Sequence, residues 1–105
     1  PPSGEARFGR IVILKSEVPA GKSKDIVVNN MPAFIINRPD KGLIALSKVC
    51  THLGCLVEYD GEGRRIVCPC HAGIYDLEGN VLSGPPPKPL PRLLLRVEGE
   101  NIVIG

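Results

Sequence analysis

The chain holds four cysteines and two histidines, and all of them fall between Cys50 and His71. They form two groups, Cys50-Thr51-His52-Leu53-Gly54-Cys55 and Cys68-Pro69-Cys70-His71. Thiolates together with imidazoles suit zinc or iron–sulfur. A tetrahedral zinc site takes four donors, and a zinc finger spaces them as C-x₂₋₄-C followed by H-x₃₋₅-H. Here each group carries a mixed Cys/His pair and one further cysteine, so there are more donors than such a site needs. The symmetric solution takes one Cys and one His from each group and leaves two cysteines to bridge the groups. A [2Fe–2S] cluster with Cys₂ on one iron and His₂ on the other fits that inventory. A structural zinc site is the alternative from a different class. Colour separates the two, since the iron–sulfur cluster is red-brown and zinc is colourless.

Two ligand loops need a frame, and the rest of the sequence reads as strands. Short β-branched segments separated by turn residues predict an all-β antiparallel sandwich or barrel. Arg10–Lys15 and Asp25–Val28 read as the first strands, with Pro19-Ala20-Gly21 as the turn between them. Ala33–Asn37 and Leu43–Ser47 flank Pro39-Asp40-Lys41-Gly42, a strong turn signal. Leu56–Tyr59 and Arg64–Cys68 flank Asp60-Gly61-Glu62-Gly63. Ile74–Leu77 and Val81–Ser83 join through Glu78-Gly79-Asn80, and Leu93–Val97 and Asn101–Ile104 close around Glu98-Gly99-Glu100. No segment carries a helical period long enough for a helix. Gly84–Pro91 (GPPPKPLP) cannot be an interior strand, because proline lacks the N–H and fixes φ. It reads as a stiff internal loop. The expected organisation is one domain over residues 1–105, with cluster-binding loops near 49–55 and 68–75 and a Pro-rich loop at 84–91.

Composition narrows the function classes. A chain of 105 residues supports about one small domain, for which a metal or disulfide is a useful staple. Net charge is +2 with the basic residues dispersed, and Trp is absent, so nucleic acid is not the expected partner. No run of about 18 apolar residues occurs. The sequence starts at Pro1 without a signal peptide pattern. It reads as an excised or processed domain whose anchor, if any, precedes it.

The stretches CTHLGC and CPCHAGIY resemble the two cluster-binding boxes of Rieske proteins, C-T-H-x-G-C and C-P-C-H-G-S. GPPPKP resembles the third loop that covers the cluster in the Rieske subunit of cytochrome bc complexes. Carried over residue by residue, the resemblance implies that Cys50 and Cys68 ligate the buried iron and that His52 and His71 ligate the outer one. Cys55 and Cys70 would form a disulfide, worth roughly 3 kcal/mol for a loop of about 15 residues. Leu53 would shield the cluster, and Pro86 would belong to the covering loop. Rieske ferredoxins and ring-hydroxylating oxygenases resemble C-x-H…C-x-x-H without the additional cysteines. Cys55 and Cys70 therefore point to the bc-type group, with the arsenite oxidase small subunit as the alternative relative. A disulfide needs an oxidising compartment, which implies the periplasmic or equivalent positive side of an energy-transducing membrane.

The function this implies is one-electron transfer. Quinol would give an electron to the cluster and a proton to His52 or His71, and a c-type cytochrome would take the electron onward. Cytochrome b would be the other partner, and the isolated domain is not expected to turn over alone. Histidine suits the proton step because it titrates near working pH. Two departures bear on the potential. Where high-potential members carry a serine whose hydroxyl bonds a cluster sulfur, this chain has Gly73, and Ala72 stands where the family often has Gly. Tyr75 matches the family tyrosine that bonds a ligand cysteine. With one of two such bonds missing, the expected potential lies below that of the highest members, within the roughly −150 to +300 mV of Rieske centres generally. That would suit a low-potential quinol such as menaquinol, and Gly73→Ser is expected to raise it.

Other signals carry less. Gly21-Lys22-Ser23 resembles the end of a phosphate-binding loop, but that motif needs a glycine where Ser16 stands. Asp60 and Glu62 read as a solvated turn.

Overall fold

The computed structural model describes residues 10–86 and 88–105; Pro87 of the Pro-rich loop lies outside them, as does the segment 1–9. Eleven strands follow one another: β1 (Ile11–Leu14), β2 (Ser23–Val28), β3 (Met31–Arg38), β4 (Gly42–Ser47), β5 (Glu58–Asp60), β6 (Arg65–Cys68), β7 (Gly73–Tyr75), β8 (Val81–Ser83), β9 (Arg92–Leu93), β10 (Leu95–Glu98) and β11 (Asn101–Ile104). They form three sheets in the orders β1-β11-β10, β2-β3-β4-β9 and β5-β6-β7-β8. Every pairing is antiparallel. The all-β expectation holds. The helical content among the described residues is one 3₁₀ turn at Lys15–Glu17, and no helix is long and apolar enough to cross a membrane.

The sheet containing β3 and β4 is the middle layer, and its sequence says why. Successive side chains of a strand point to opposite faces. Ala33, Ile35 and Ala45 join Ile11, Ile13, Ile102 and Ile104 in one core. Phe34, Ile36, Ile44 and Leu46 join Cys50, Val57, Ile66, Cys68 and Tyr75 in a second. A strand covered on both faces needs apolar residues without alternation, and Ala33-Phe34-Ile35-Ile36 supplies them, all 1% exposed or less. Burying each large side chain contributes roughly 1.5–3 kcal/mol, so both cores hold this layer.

The turn expected at Pro19-Ala20-Gly21 is present at Ala20 and Gly21, but the strands it separates do not pair with each other: β1 pairs with β11. β2 instead turns into β3 through Asn29-Asn30, both at positive φ (50° and 64°), the hand that matches strand twist in a two-residue hairpin. Leu93–Val97 is not one strand. Arg92 and Leu93 pair with β4, whereas Leu95–Glu98 pairs with β11, and Leu94 between them is 80% exposed. The chain changes sheet at that residue, which local alternation does not encode.

The four strands β5–β8 are an insertion. They leave the middle sheet after β4 and return at β9, where Leu46 pairs with Arg92 and Ala45 with Leu93. Tyr59 ties the insertion back, its hydroxyl donating to the Gly21 carbonyl at 2.8 Å.

Candidate metal centre

The first loop hangs from β4. Its neck is closed by the Val49–Leu56 bridge and by the Cys50 N–H, which donates to the Cys55 carbonyl at 2.7 Å. The second loop is the tip of the β6–β7 hairpin. Cys68 pairs with Gly73 there, leaving Pro69-Cys70-His71-Ala72 as the turn. Ala72 sits at φ 57°, a conformation better suited to glycine. A Cys55–Cys70 disulfide, spanning 15 positions, joins the loops as the resemblance implied.

The donors are graded from inside to outside. Cys50 and Cys68 are free thiols, 3% and 1% exposed, at the end of the second core. His52 is half-buried and His71 exposed. Their rings meet edge to face with centroids 4.7 Å apart. Nδ1 of His52 is buried without a hydrogen-bond partner, among the described residues the one such side-chain nitrogen or oxygen. A buried polar atom with no partner is costly, and a metal bond would satisfy it. Two buried thiols with two imidazoles nearer the surface match the donor types of an asymmetric two-iron cluster. No three of His, Cys, Asp and Glu surround one point among the described residues. A two-iron cluster does not ask for that, since each iron takes two protein ligands.

Tyr75, fully buried, lies beneath the cysteines. Its Oη is 3.4 Å from Cys50 Sγ. Burial alone would push the Cys50 thiol up. Hydrogen bonds from Tyr75, from the backbone of His52 and Leu53 and from Cys68 outweigh it and hold the thiol below its ordinary value. Burial, and then Cys50 as neighbour, push the Tyr75 phenol above its usual range.

The Pro-rich loop packs onto the second loop through glycines. Pro86 is buried and sits over Gly73. A Cβ at Gly73 would lie 2.7 Å from Pro86 Cγ and 2.9 Å from its Cδ. The expectation for Gly73→Ser therefore needs correction: a serine there must first displace the loop, so its potential would not report the hydroxyl alone. Further along, the Lys88 carbonyl accepts from Thr51 Oγ1 at 2.7 Å, and Leu90 N–H donates to Gly79. Leu53 is 66% exposed and so is not core; it stands next to His52 on the outer surface. The sequence marks Thr51 only as the fixed threonine of the C-T-H-x-G-C box and assigns it no role. The Gly21-Lys22-Ser23 and Asp60–Glu62 turns line a common open groove that none of the cysteines lines, and the Asp60 carboxylate is occupied by Arg65 and the Gly63 N–H.

Comparison with known proteins agrees with this geometry. The Rieske [2Fe-2S] domain family matches residues 10–94. The iron-sulfur subunit of the cytochrome b6-f complex of Chlorobaculum thiosulfatiphilum is 45% identical over 90 residues, 86% of this chain and 49% of that protein. The chain thus spans about half the length of that relative. Among solved structures, hyperthermophilic respiratory complex III contains a chain with TM-score 0.77 and 31% identity, covering 87% of this chain and 71% of that one. The plasma membrane Rieske protein PetC3 from Synechocystis PCC 6803 superposes with TM-score 0.74 at 30% identity, covering 79% of this chain and 85% of that one. A donor set graded from thiol to imidazole, on loops that match that family over most of the chain, leaves one assignment: the chain belongs to the Rieske [2Fe–2S] domain family, and its cofactor is the Rieske-type cluster.

Proposed function

We propose that this domain transfers single electrons, taking them from a quinol and passing them to a c-type cytochrome within a bc-type complex that also contains cytochrome b. Cys50 and Cys68 would hold the inner iron, and His52 and His71 the outer one. The observation that carries this reading is the outward face of the histidine pair. With Nδ1 of His52 turned inward, its Nε2 is the outward atom, and the exposed ring of His71 lies against it. Similarity to subunits of the cytochrome b6-f complex and of complex III supports the setting.

When bound, the cluster supplies a one-electron couple. The residues of the chain supply the rest. Nε2 of His52, or the free ring nitrogen of His71, accepts the hydrogen bond of a quinol hydroxyl and keeps its proton as the electron departs. Exposed Leu53 beside His52 offers apolar surface for a quinol ring. The Cys55–Cys70 disulfide keeps the two ligand loops in register, so the cluster changes charge with little rearrangement. It also supports placement on the oxidising, periplasmic or equivalent positive side, held by an anchor outside this sequence.

Film voltammetry of the cluster-loaded domain from about pH 5 to about pH 11 tests the reading. One one-electron wave is expected, with a potential that falls as pH rises above neutrality. A wave independent of pH refutes proton uptake at the histidines and leaves a plain relay. Absence of any wave refutes the redox function.

A further inference from the structure

Thr51 stands between Cys50 and His52 and reaches both the buried tyrosine and the Pro-rich loop. Its hydroxyl donates to the Lys88 carbonyl at 2.7 Å. The same oxygen lies 3.1 Å from Tyr75 Oη, and the Thr51 backbone N–H donates to that Oη at 3.2 Å. Tyr75 Oη in turn lies 3.4 Å from Cys50 Sγ. Counting hydrogens decides the directions. Each hydroxyl has one hydrogen, and a carbonyl can only accept. The Thr51 hydrogen is therefore spent on Lys88, and Thr51 Oγ1 faces Tyr75 as an acceptor. Tyr75 has one hydrogen and two acceptors for it, Thr51 Oγ1 and Cys50 Sγ.

We propose that Thr51 is a positioning residue that divides the Tyr75 hydrogen bond between itself and the Cys50 sulfur, and that the seat of the Pro-rich loop sets the division through the Lys88 carbonyl. This rests on Cys50 being a cluster ligand, as in the function proposed above. With the loop seated, Thr51 competes for the hydrogen and the sulfur receives only part of it. With the Lys88 carbonyl withdrawn, the Thr51 hydroxyl turns and donates to Tyr75 Oη. It then no longer accepts, and Tyr75, polarised by a second donor, gives its hydrogen to sulfur alone. Hydrogen bonds to sulfur favour the reduced cluster. A partner that lifts the loop therefore raises the potential and draws an electron in. Reseating the loop lowers the potential and favours its release.

The test compares midpoint potentials of the full 105-residue chain with its cluster: wild type, Thr51→Val, Thr51→Ser, Tyr75→Phe and the Thr51→Val/Tyr75→Phe double variant. Thr51→Val removes the competitor, so its potential should shift upward, opposite in sign to Tyr75→Phe. Thr51→Ser should match wild type. The upward shift should vanish in the Tyr75→Phe background, a non-additivity that simple loosening of the loop would not produce. A Thr51→Val potential that is unchanged or lower overturns the proposal, as does a shift that persists without Tyr75. Should Thr51→Val fail to load the cluster, Thr51→Ala is read in the same way. If neither loads while Thr51→Ser does, the hydroxyl is an anchor and not a tuner, and the proposal falls. A wild type without any wave would sink the redox function itself; a normal wave with an unmoved Thr51→Val sinks this inference alone.

Discussion

Seating of the Pro-rich loop on the second ligand loop can be measured through Gly84. That residue has φ 93°, and a Cβ added to it would lie 2.8 Å from Gly73 Cα, 3.2 Å from the Ala72 carbonyl oxygen and 3.3 Å from Gly73 N. All three are backbone atoms, which cannot swing aside. Gly84→Ala therefore carries two penalties. The first is conformational, roughly 1–2 kcal/mol for an L-residue forced to positive φ. The second is the collision, about 1–3 kcal/mol by analogy with overpacked cores. Gly42→Ala separates them, because Gly42 has φ 81° but no atom within 4 Å of an added Cβ. For a domain of this size each kcal/mol moves Tm by roughly 4–8 °C. Thermal unfolding of the cluster-loaded, oxidised protein should show Gly84→Ala melting well below Gly42→Ala. Equal losses in the two variants would mean that the loop does not rest on Gly73, and the account of why Gly73 lacks a side chain would go with it.

Three further outcomes are expected. Replacing Cys55 and Cys70 together by serine should lower stability by roughly 3 kcal/mol in urea titrations; a loss far below 1 kcal/mol would show that the backbone neck at Val49–Leu56 already fixes the first loop. Ala72→Gly should raise stability by about 1 kcal/mol, because Ala72 holds φ 57°, and a lower Tm would contradict the conformation of the hairpin tip. The Gly63 N–H and then Arg65 hold the Asp60 carboxyl below its ordinary 3.8, so its contribution is present above about pH 4 and fades as pH falls through the lower folded value. Asp60→Asn should accordingly flatten the fall in Tm between about pH 5 and about pH 3, and an unchanged slope would exclude this carboxylate as a source of acid sensitivity.

Much of the site was legible because its chemistry is local in sequence. Six donors in two short groups, with a surplus cysteine in each, announce a bridged two-loop centre before any fold is known. The hairpins β3–β4, β5–β6 and β10–β11 were legible for a similar reason, since their turn residues lie between their strands. What escaped was long-range. Nothing near Ile11 says that its partner is Ile104, and nothing at Leu94 marks a change of sheet. Gly73 looked like a missing serine because sequence shows the absent hydroxyl and not Pro86 above it. The role of Thr51 went unread because its partners, Tyr75 and Lys88, are 24 and 37 positions away.

The β4–β9 pairing has a consequence for how such a chain can be built and varied. Residues 47–91 form an excursion whose two ends meet as neighbouring strands. A short connection from Leu46 to Arg92 would keep the backbone pairing of the other two sheets but uncover Phe34, Ile36, Ile44 and Leu46, which the excursion buries. Lengthening the excursion is cheap, since each doubling of a closed loop adds only about 0.6 kcal/mol in chain entropy. The redox centre is thus a cartridge in a holder. An exchanged cartridge must also cover Phe34, Ile36, Ile44 and Leu46, so a graft of residues 47–91 needs an apolar sheet face as well as two adjacent antiparallel strands.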